Sequence, residues 1–304
     1  MLPDGSFYIR QGCQIHFSSG NKNNHFPLEV GKSGEIAEFC STEPLAMSFL
    51  FHDVIFGPVR SRRLGLSLGI NLLPLHRKFC SFNCIYCECG WTPAPAREGM
   101  ELPSRAIVAS FLEEKLKQLA KENHLPDAIT YAGNGEPTLH PEFSGIVDDT
   151  TRLRNRYSPD SKVCVLSNAS RIHDPAVFEA LMKLDNNILK LDAGTETTFR
   201  ILNNPVESFD FARMISDLAK FNGNLVIQSM FLKGVYNGMM VDNTTAGEVG
   251  EWIKHLQAIR PKAVMIYSIA RATPAHDLEK IGREELEKIA VLVKKEGLEV
   301  KVYD

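Results

Sequence analysis

The chain has 304 residues, 44% hydrophobic and 23% charged, with a net charge of −3 and a mean hydropathy of −0.14. This is the composition of a soluble globular protein long enough for one large α/β domain or two small ones. It excludes a global electrostatic attraction to nucleic acid or anionic membrane, and it contains neither an apolar run of transmembrane length nor a signal-peptide core. Seven cysteines, four of them within residues 80–89, do not make a secreted disulfide framework and point to a reducing cytoplasm.

Residues 1–46 read as a loosely ordered leader. Stretches such as Ser18-Ser-Gly-Asn-Lys-Asn-Asn24 and Gly31-Lys-Ser-Gly34 are turn formers without helical or strand period. Cys13, His16, His25 and Cys40 lie there at spacings that define no metal site, and Met47 is an alternative start. The organised domain is expected over 47–304, with its core at about 66–270 and a C-terminal helix and strand at about 282–303.

The segment 56–65 leads into the first expected strand, 66–72. There Leu66, Leu68, Ile70 and Leu72 alternate with Ser67, Gly69 and Asn71. Next comes Cys80-Ser-Phe-Asn-Cys84-Ile-Tyr-Cys87, three thiols at Cys-x3-Cys-x2-Cys spacing. Thiolates are soft ligands that select zinc, copper(I) or iron–sulfur clusters. Zinc usually takes two Cys-x2-4-Cys pairs or a downstream His pair, and neither is present; His76 precedes the first thiol and has no partner at ligand spacing. A cubane cluster normally has four thiolates. Three would leave one iron open, as a catalytic metal centre requires.

Ser104 is the expected N-cap of a helix to about residue 121, with Ile107, Val108, Phe111, Leu112, Leu116 and Leu119 at helical spacing. Strand 128–132, helix 143–156 and strand 162–167 follow. Asp174-Pro175 opens a helix to about 184, and 188–192 is the next strand. Helices at about 196–202 and 208–221 precede strand 225–231. Thr245 and Glu248 form a capping-box pattern opening a helix whose core face is Val249, Trp252, Ile253 and Leu256. Strand 263–269 and helix 283–295, stopped by Gly297, complete the series.

Short apolar strands alternating with amphipathic helices imply βαβ units and a parallel sheet. An open doubly wound sheet is the competing architecture, but no Gly-x-Gly-x-x-Gly turn opens a helix. In a barrel, chemistry gathers at the C-terminal ends of the strands, and the cysteines follow the first strand. After the second strand, Gly133-Asn134-Gly135-Glu136-Pro137 offers glycines for close backbone approach to a ligand and a carboxylate that accepts from an ammonium. Ser167, Asn168 and Ser170 follow the third strand, and Lys190 and Asp192 the fourth. Gln228 and Met230 share one face of the fifth strand, in phase to face the lumen, while Tyr267 and Arg271 end the sixth as candidate substrate contacts; for all four a structural role is the simpler reading. His140 has no assignable acid–base role, and Cys164 reads as core. Arg60, Arg62, Arg63, Arg77 and Lys78 bracket the first strand, either to meet an anion at the cluster mouth or as a solvated charged face.

The cysteine spacing, with Tyr86 before the last thiol, resembles the radical S-adenosylmethionine (SAM) superfamily. That resemblance implies a partial (β/α)6 barrel of the TIM type. It further implies a [4Fe–4S] cluster on Cys80, Cys84 and Cys87, whose open iron chelates the amino and carboxylate groups of SAM, with Tyr86 beside the adenine. Gly133, Asn134, Gly135 and Glu136 then correspond to the element that binds the SAM amino group. Ser167 and Asn168 correspond to a polar turn contacting SAM, and Lys190 to the residue that reaches its carboxylate. A flavodoxin or ferredoxin would supply one electron. SAM would split reductively to methionine and a 5′-deoxyadenosyl radical that abstracts hydrogen from an unidentified substrate.

Within the superfamily, Gly57-Pro-Val-Arg-Ser-Arg-Arg-Leu-Gly65, Ile85-Tyr-Cys-Glu-Cys-Gly90 and Gly133-Asn-Gly-Glu-Pro-Thr-Leu139 are similar to Fe–S oxidoreductases likened to tRNA wyosine synthases. A tRNA substrate is poorly matched by the net charge and by the lack of a second cysteine cluster. A glycyl-radical activase, or an enzyme acting on a peptide or small metabolite, stays open. The reading from a different class is a non-catalytic iron–sulfur or zinc protein with Cys89 as fourth ligand.

Overall fold

The computed structural model describes residues 49–93 and 101–303. The expected leader, with Cys13, His16, His25, Cys40 and Met47, lies outside the described residues. The first elements among the described residues form a hairpin within the segment expected as a lead-in. β1 (Ile55–Ser61) pairs antiparallel with β2 (Gly65–Ile70). Gly57 and Pro58 interrupt the alternation of β1, which hid it. Proline is tolerated here because β1 is the edge of the sheet. Phe56 is paired with Gly69, and a Cβ on Gly69 would stand only 2.0 Å from the Phe56 ring. The missing side chain is what lets that ring lie across the strand.

From β2 the expected βα alternation runs through the molecule. It comprises α1 (Arg105–Lys121), β3 (Ala128–Tyr131), α2 (Phe143–Tyr157), β4 (Lys162–Ser167), α3 (Pro175–Met182) and β5 (Asn186–Lys190). The second half contains α4 (Glu196–Asn203), α5 (Phe211–Ala219), β6 (Val226–Met230), β7 (Leu232–Tyr236), β8 (Met239–Asp242) and α6 (Ala246–Ile259). It ends with β9 (Ala263–Tyr267), β10 (Leu278–Lys280), α7 (Arg283–Lys295) and β11 (Val300–Tyr303).

The main sheet has the order β1-β2-β3-β4-β5-β6-β9-β11, parallel throughout except for β1. Six of its parallel strands are the expected series, and β11, the expected C-terminal strand, joins them as a seventh. The sheet curls into a half-barrel, because groups near its two ends meet. Arg63, in the β1–β2 turn, lies with its guanidinium carbon 4.7 Å from the ring centroid of Tyr267, the last residue of β9. The partial (β/α)6 barrel is therefore the fold. A second sheet, β10-β7-β8, was not anticipated. Its β7–β8 turn is Asn237-Gly238, both at positive φ, a sequence signal for a two-residue hairpin.

Caps bear out most helix starts. Ser104 accepts from the Ile107 N–H, and Asp174 accepts from the Ala176 N–H ahead of α3. Thr245 caps α6 through the Glu248 N–H, but the reciprocal half of the expected box is absent. The Glu248 carboxylate turns to α4 instead. It accepts from the Gly194 and Thr195 N–H groups at 2.9 and 3.2 Å and from the hydroxyls of Thr195 and Thr198 at 2.5 and 2.7 Å. The positive end of the α4 dipole and four convergent donors outcompete one backbone N–H. β5 also departs from expectation. It spans Asn186–Lys190 rather than 188–192, which leaves Asp192 beyond the strand end.

Candidate active site at the cysteine loop

The loop after β2 has little hydrogen bonding of its own, so its shape comes from the elements around it. On one side Phe79 bridges to the 133–136 turn: its N–H donates to Asn134 O at 2.8 Å, and its carbonyl accepts from Glu136 N at 3.2 Å. On the other, Asn83 and Ile85 donate to the carbonyls of Asn204 and Leu202 at the end of α4. Phe82 is buried edge-on against Phe199 and Phe209. Gly133 and Gly135 both have positive φ. A Cβ on Gly135 would fall 1.8 Å from Phe79 O, and one on Gly133 would fall 2.3 Å from Asn71 Oδ1. The neighbours these glycines admit are thus the cysteine loop and the end of β2, where the sequence reading expected a ligand. Gly135→Ala is expected to push the loop off its seat, costing about 3 kcal/mol or more through strain and overpacking. Thermal unfolding measures the cost, and iron retention after reconstitution reports whether Cys80 has moved.

The ammonium of Lys78 interacts electrostatically with the thiols of Cys80, Cys84 and Cys87. Lys78 is buried, with Nζ donating to Gly90 O at 2.9 Å. Burial alone would lower its pKa, but the charges of Cys87, Cys80 and Cys84 turn the net shift upward. Burial pushes Cys80 up to about 12, against the pull of Lys78, and likewise raises Cys84. Cys87 falls to about 5, chiefly through a hydrogen bond from the Cys89 thiol, with Lys78 assisting against burial. Two amides aim at the sulfurs: Asn168 Nδ2 lies 3.5 Å from Cys80 Sγ and Asn203 Nδ2 lies 3.6 Å from Cys84 Sγ. A buried cation and N–H donors around thiols suit anionic sulfur. Zinc draws its sulfurs to about 2.3 Å. Among the described residues no three Cys, His, Asp or Glu side chains converge on one ion-sized point. Three thiols with a buried cation and N–H donors among them are a donor set that fits an iron–sulfur cluster held by three cysteines. Cys89 bonds to Cys87, and its Sγ lies 3.6 Å from Gly133 O.

One wall beside the thiols is a polar network centred on Asp192, which is buried at the end of the β5 segment. Tyr86 donates its hydroxyl to Asp192 Oδ2, Asn203 Nδ2 lies 2.9 Å from both of those oxygens, and Met230 N donates to Asp192 Oδ1 at 2.8 Å. Lys190 donates to Asp192 Oδ1 at 3.2 Å and to the Tyr267 hydroxyl at 2.8 Å. Its ammonium also stands 5.0 Å from the Tyr86 ring centroid. Burial pushes the Lys190 amine down, but Asp192 and Tyr267 more than reverse this, so it stays protonated. Burial and the Asp192 charge drive the Tyr86 phenol well up. Asn203 Oδ1 is buried without a donor. This acceptor, beside the Tyr86 ring and Cys84, fits a ligand carrying ammonium or hydroxyl groups.

The remaining predicted residues divide by use. Ser167 and Asn168 join the site: Ser167 Oγ and Asn168 N donate to Glu136 at 2.9 and 2.6 Å, and Asn168 Nδ2 also reaches Ser81 Oγ. Ser170 Oγ meets Ser81 Oγ at 2.6 Å. Glu136 is buried, and both its oxygens are occupied, Oε1 also accepting from the N–H and hydroxyl of Thr138. Burial raises its pKa against these donors. The Asn134 side chain points elsewhere, bonded to the backbone of Phe51 and Pro74. Arg271 pairs with Glu88 at 2.5 Å, and His140 Nε2 contacts Pro103 O while Nδ1 accepts from Glu142 N. Gln228 and Met230 are buried in β6, and Cys164 is core as expected. Arg60 is exposed, whereas Arg63 reaches Tyr267.

Sequence reasoning missed Asn203 and the central place of Asp192. Asn203 closes an amphipathic helix at an unremarkable position, so no local pattern marks it. Asp192, two residues after Lys190 on the same face of an extended segment, carried a signal in that spacing.

Comparison with known proteins bears on this site. The radical SAM superfamily profile matches residues 75–242, which include the cysteine loop and the Asp192 network. A UPF0026 protein of Helicobacter pylori is 30% identical over 249 residues, covering 81% of this chain and 74% of that protein. One curated relative is much longer: the match takes up 32% of a Brachyspira hyodysenteriae protein named GTPase Obg, at 31% identity over 77% of this chain. The chain thus spans about a third of that relative. A radical SAM methyltransferase from Sphaerobacter thermophilus superposes at TM-score 0.58 and 12% identity, over 78% of this chain and 65% of that one. TYW1 with a lysine-pyruvate adduct bound superposes at 0.54 and 15% identity, over 75% and 73%. At these identities the two structures speak to the fold alone.

Proposed function

The chain belongs to the radical SAM superfamily, whose cofactors are a [4Fe–4S] cluster and SAM, and from that premise we propose that it is a radical SAM enzyme of the oxidoreductase or lyase type. Cys80, Cys84 and Cys87 would hold the cluster, and the Tyr86, Lys190, Asp192 and Asn203 wall would receive SAM. When bound, these groups supply a 5′-deoxyadenosyl radical that takes hydrogen from a substrate not yet identified.

The observation that carries the reading is the ring of donors around the three thiols: Lys78, Asn168 and Asn203. Lys78 offsets the negative charge that three thiolates would bring into a buried loop. Asp192 fixes the Tyr86 hydroxyl, and Lys190 keeps a positive charge beside the Tyr86 ring, suited to a carboxylate.

No helix among the described residues is long and apolar enough to cross a membrane. A cytoplasmic setting, with a flavodoxin or ferredoxin as reductant, suits a chain whose seven cysteines form no disulfide framework. The test is anaerobic reconstitution followed by EPR of the reduced cluster with and without SAM, with a deoxyadenosine assay on the same sample. A SAM-dependent change in the spectrum together with deoxyadenosine is the expected result; bound zinc or a SAM-blind cluster would overturn it.

A further inference from the structure

Within the half-barrel, three charged side chains meet around Tyr267. Lys190 donates to its hydroxyl, Asp192 pairs with Lys190, and Arg63 stacks its guanidinium over the ring from the opposite end of the sheet. These groups sum to one positive charge, because the single carboxylate is already engaged by Lys190, Tyr86, Asn203 and Met230 N. Arg63 has no carboxylate partner among the described residues, and its Nη1 is buried without a hydrogen-bond acceptor. A guanidinium tolerates this poorly: its five donors are rigid and always charged, and a buried donor left unmade is costly. It also reaches across the open side of the sheet, from the β1–β2 turn to the end of β9.

Resting on the radical SAM reading of the same barrel, we infer that the substrate carries an anionic group, a carboxylate or a phosphate, and that Arg63 binds it. Arg63 presents a planar edge suited to two parallel N–H···O bonds, and Tyr267 holds that edge in place while Lys190 contributes its field. Lys190, bonded to the Tyr267 hydroxyl, also stands 5.0 Å from the Tyr86 ring centroid, so an anion held by Arg63 is linked through Tyr267 to the wall beside the thiols.

The test is a titration of the full-length apoprotein with inorganic phosphate and, separately, with acetate, followed through the arginine Nε–Hε resonances in NMR. The Arg63 resonance is assigned from its absence in Arg63→Gln, or in Arg63→Lys if the first variant folds poorly by circular dichroism. A saturable shift of the Arg63 signal is expected with one of the probes, and which probe identifies carboxylate or phosphate chemistry. Binding should weaken at least tenfold in Arg63→Gln and less in Arg63→Lys. An Arg63 signal unmoved by either probe, or equal affinity in Arg63→Gln, overturns the inference. SAM-dependent EPR of the reconstituted wild type reports on the enzyme reading independently. A SAM response with an unmoved Arg63 sinks only this inference, and a shifted Arg63 without a SAM response sinks only that reading.

Discussion

Cys84→Ala is expected to abolish cluster assembly and, with it, all deoxyadenosine formation. Cys84 is the middle thiol of the three and the buried one, and it receives the Asn203 amide. Two remaining thiolates cannot hold a cubane that normally takes four ligands and here would have three. Cys89 is not expected to substitute, because it lies beyond Cys87 in the chain and its Sγ is turned to Gly133 O at 3.6 Å. Iron content and EPR after anaerobic reconstitution measure the outcome. The variant should still fold, since alanine removes only one buried sulfur at a site whose loop is seated by Phe79, Phe82 and Ile85. Cys89→Ala is the matched comparison: it should retain iron and a SAM-responsive signal. If Cys89→Ala loses iron as completely as Cys84→Ala, the site is a four-thiolate one and the catalytic reading falls.

Asp192→Ala should be the most destabilising single change in the site. It strips Lys190, whose side chain is 19% exposed, of its only carboxylate partner among the described residues. It also leaves the Tyr86 hydroxyl, the Asn203 amide and the Met230 N–H without their shared acceptor. Removing one partner of a buried ion pair costs about 3–5 kcal/mol. For a domain of this size that is a fall in melting temperature on the order of 10 °C. Asp192→Asn keeps the shape and part of the hydrogen bonding, so its loss should be smaller, yet it should weaken SAM binding because Lys190 and Tyr86 are no longer held. A thermal melt and a SAM titration of the reconstituted protein check both statements. A shift in Asp192→Ala of only about 1 kcal/mol, the worth of an exposed pair, would mean that the network is solvated and not a built wall.

The cysteine spacing, the alternation of apolar strands with amphipathic helices and the cap residues were all readable in the chain, because each is a local property. Three thiols within eight residues must share a loop. A strand such as 162–167 needs only its own β-branched residues, and α7 needs only its own period and the glycine that stops it. Where competition between distant groups decides, local reading loses. Glu248 looked like half of a capping box, but four donors at the start of α4 were nearer. β1 was hidden because its stability comes from pairing with β2 and from Phe56 lying on Gly69, not from its own pattern.

The same division runs through the site. Sequence alone determined which residues bring sulfur, and that the loop after the first parallel strand is where they stand. Only the tertiary structure decided that Lys78 sits among those sulfurs, that Glu136 spends its oxygens on Thr138, Ser167 and Asn168, and that Asp192 is the hub of the wall. It alone brought Arg63 across the gap to Tyr267, residues 204 positions apart in the chain. The physical reason is burial: a charge or amide acquires its chemical role from the partners left to it once water is excluded, and the curl of the sheet chooses those partners.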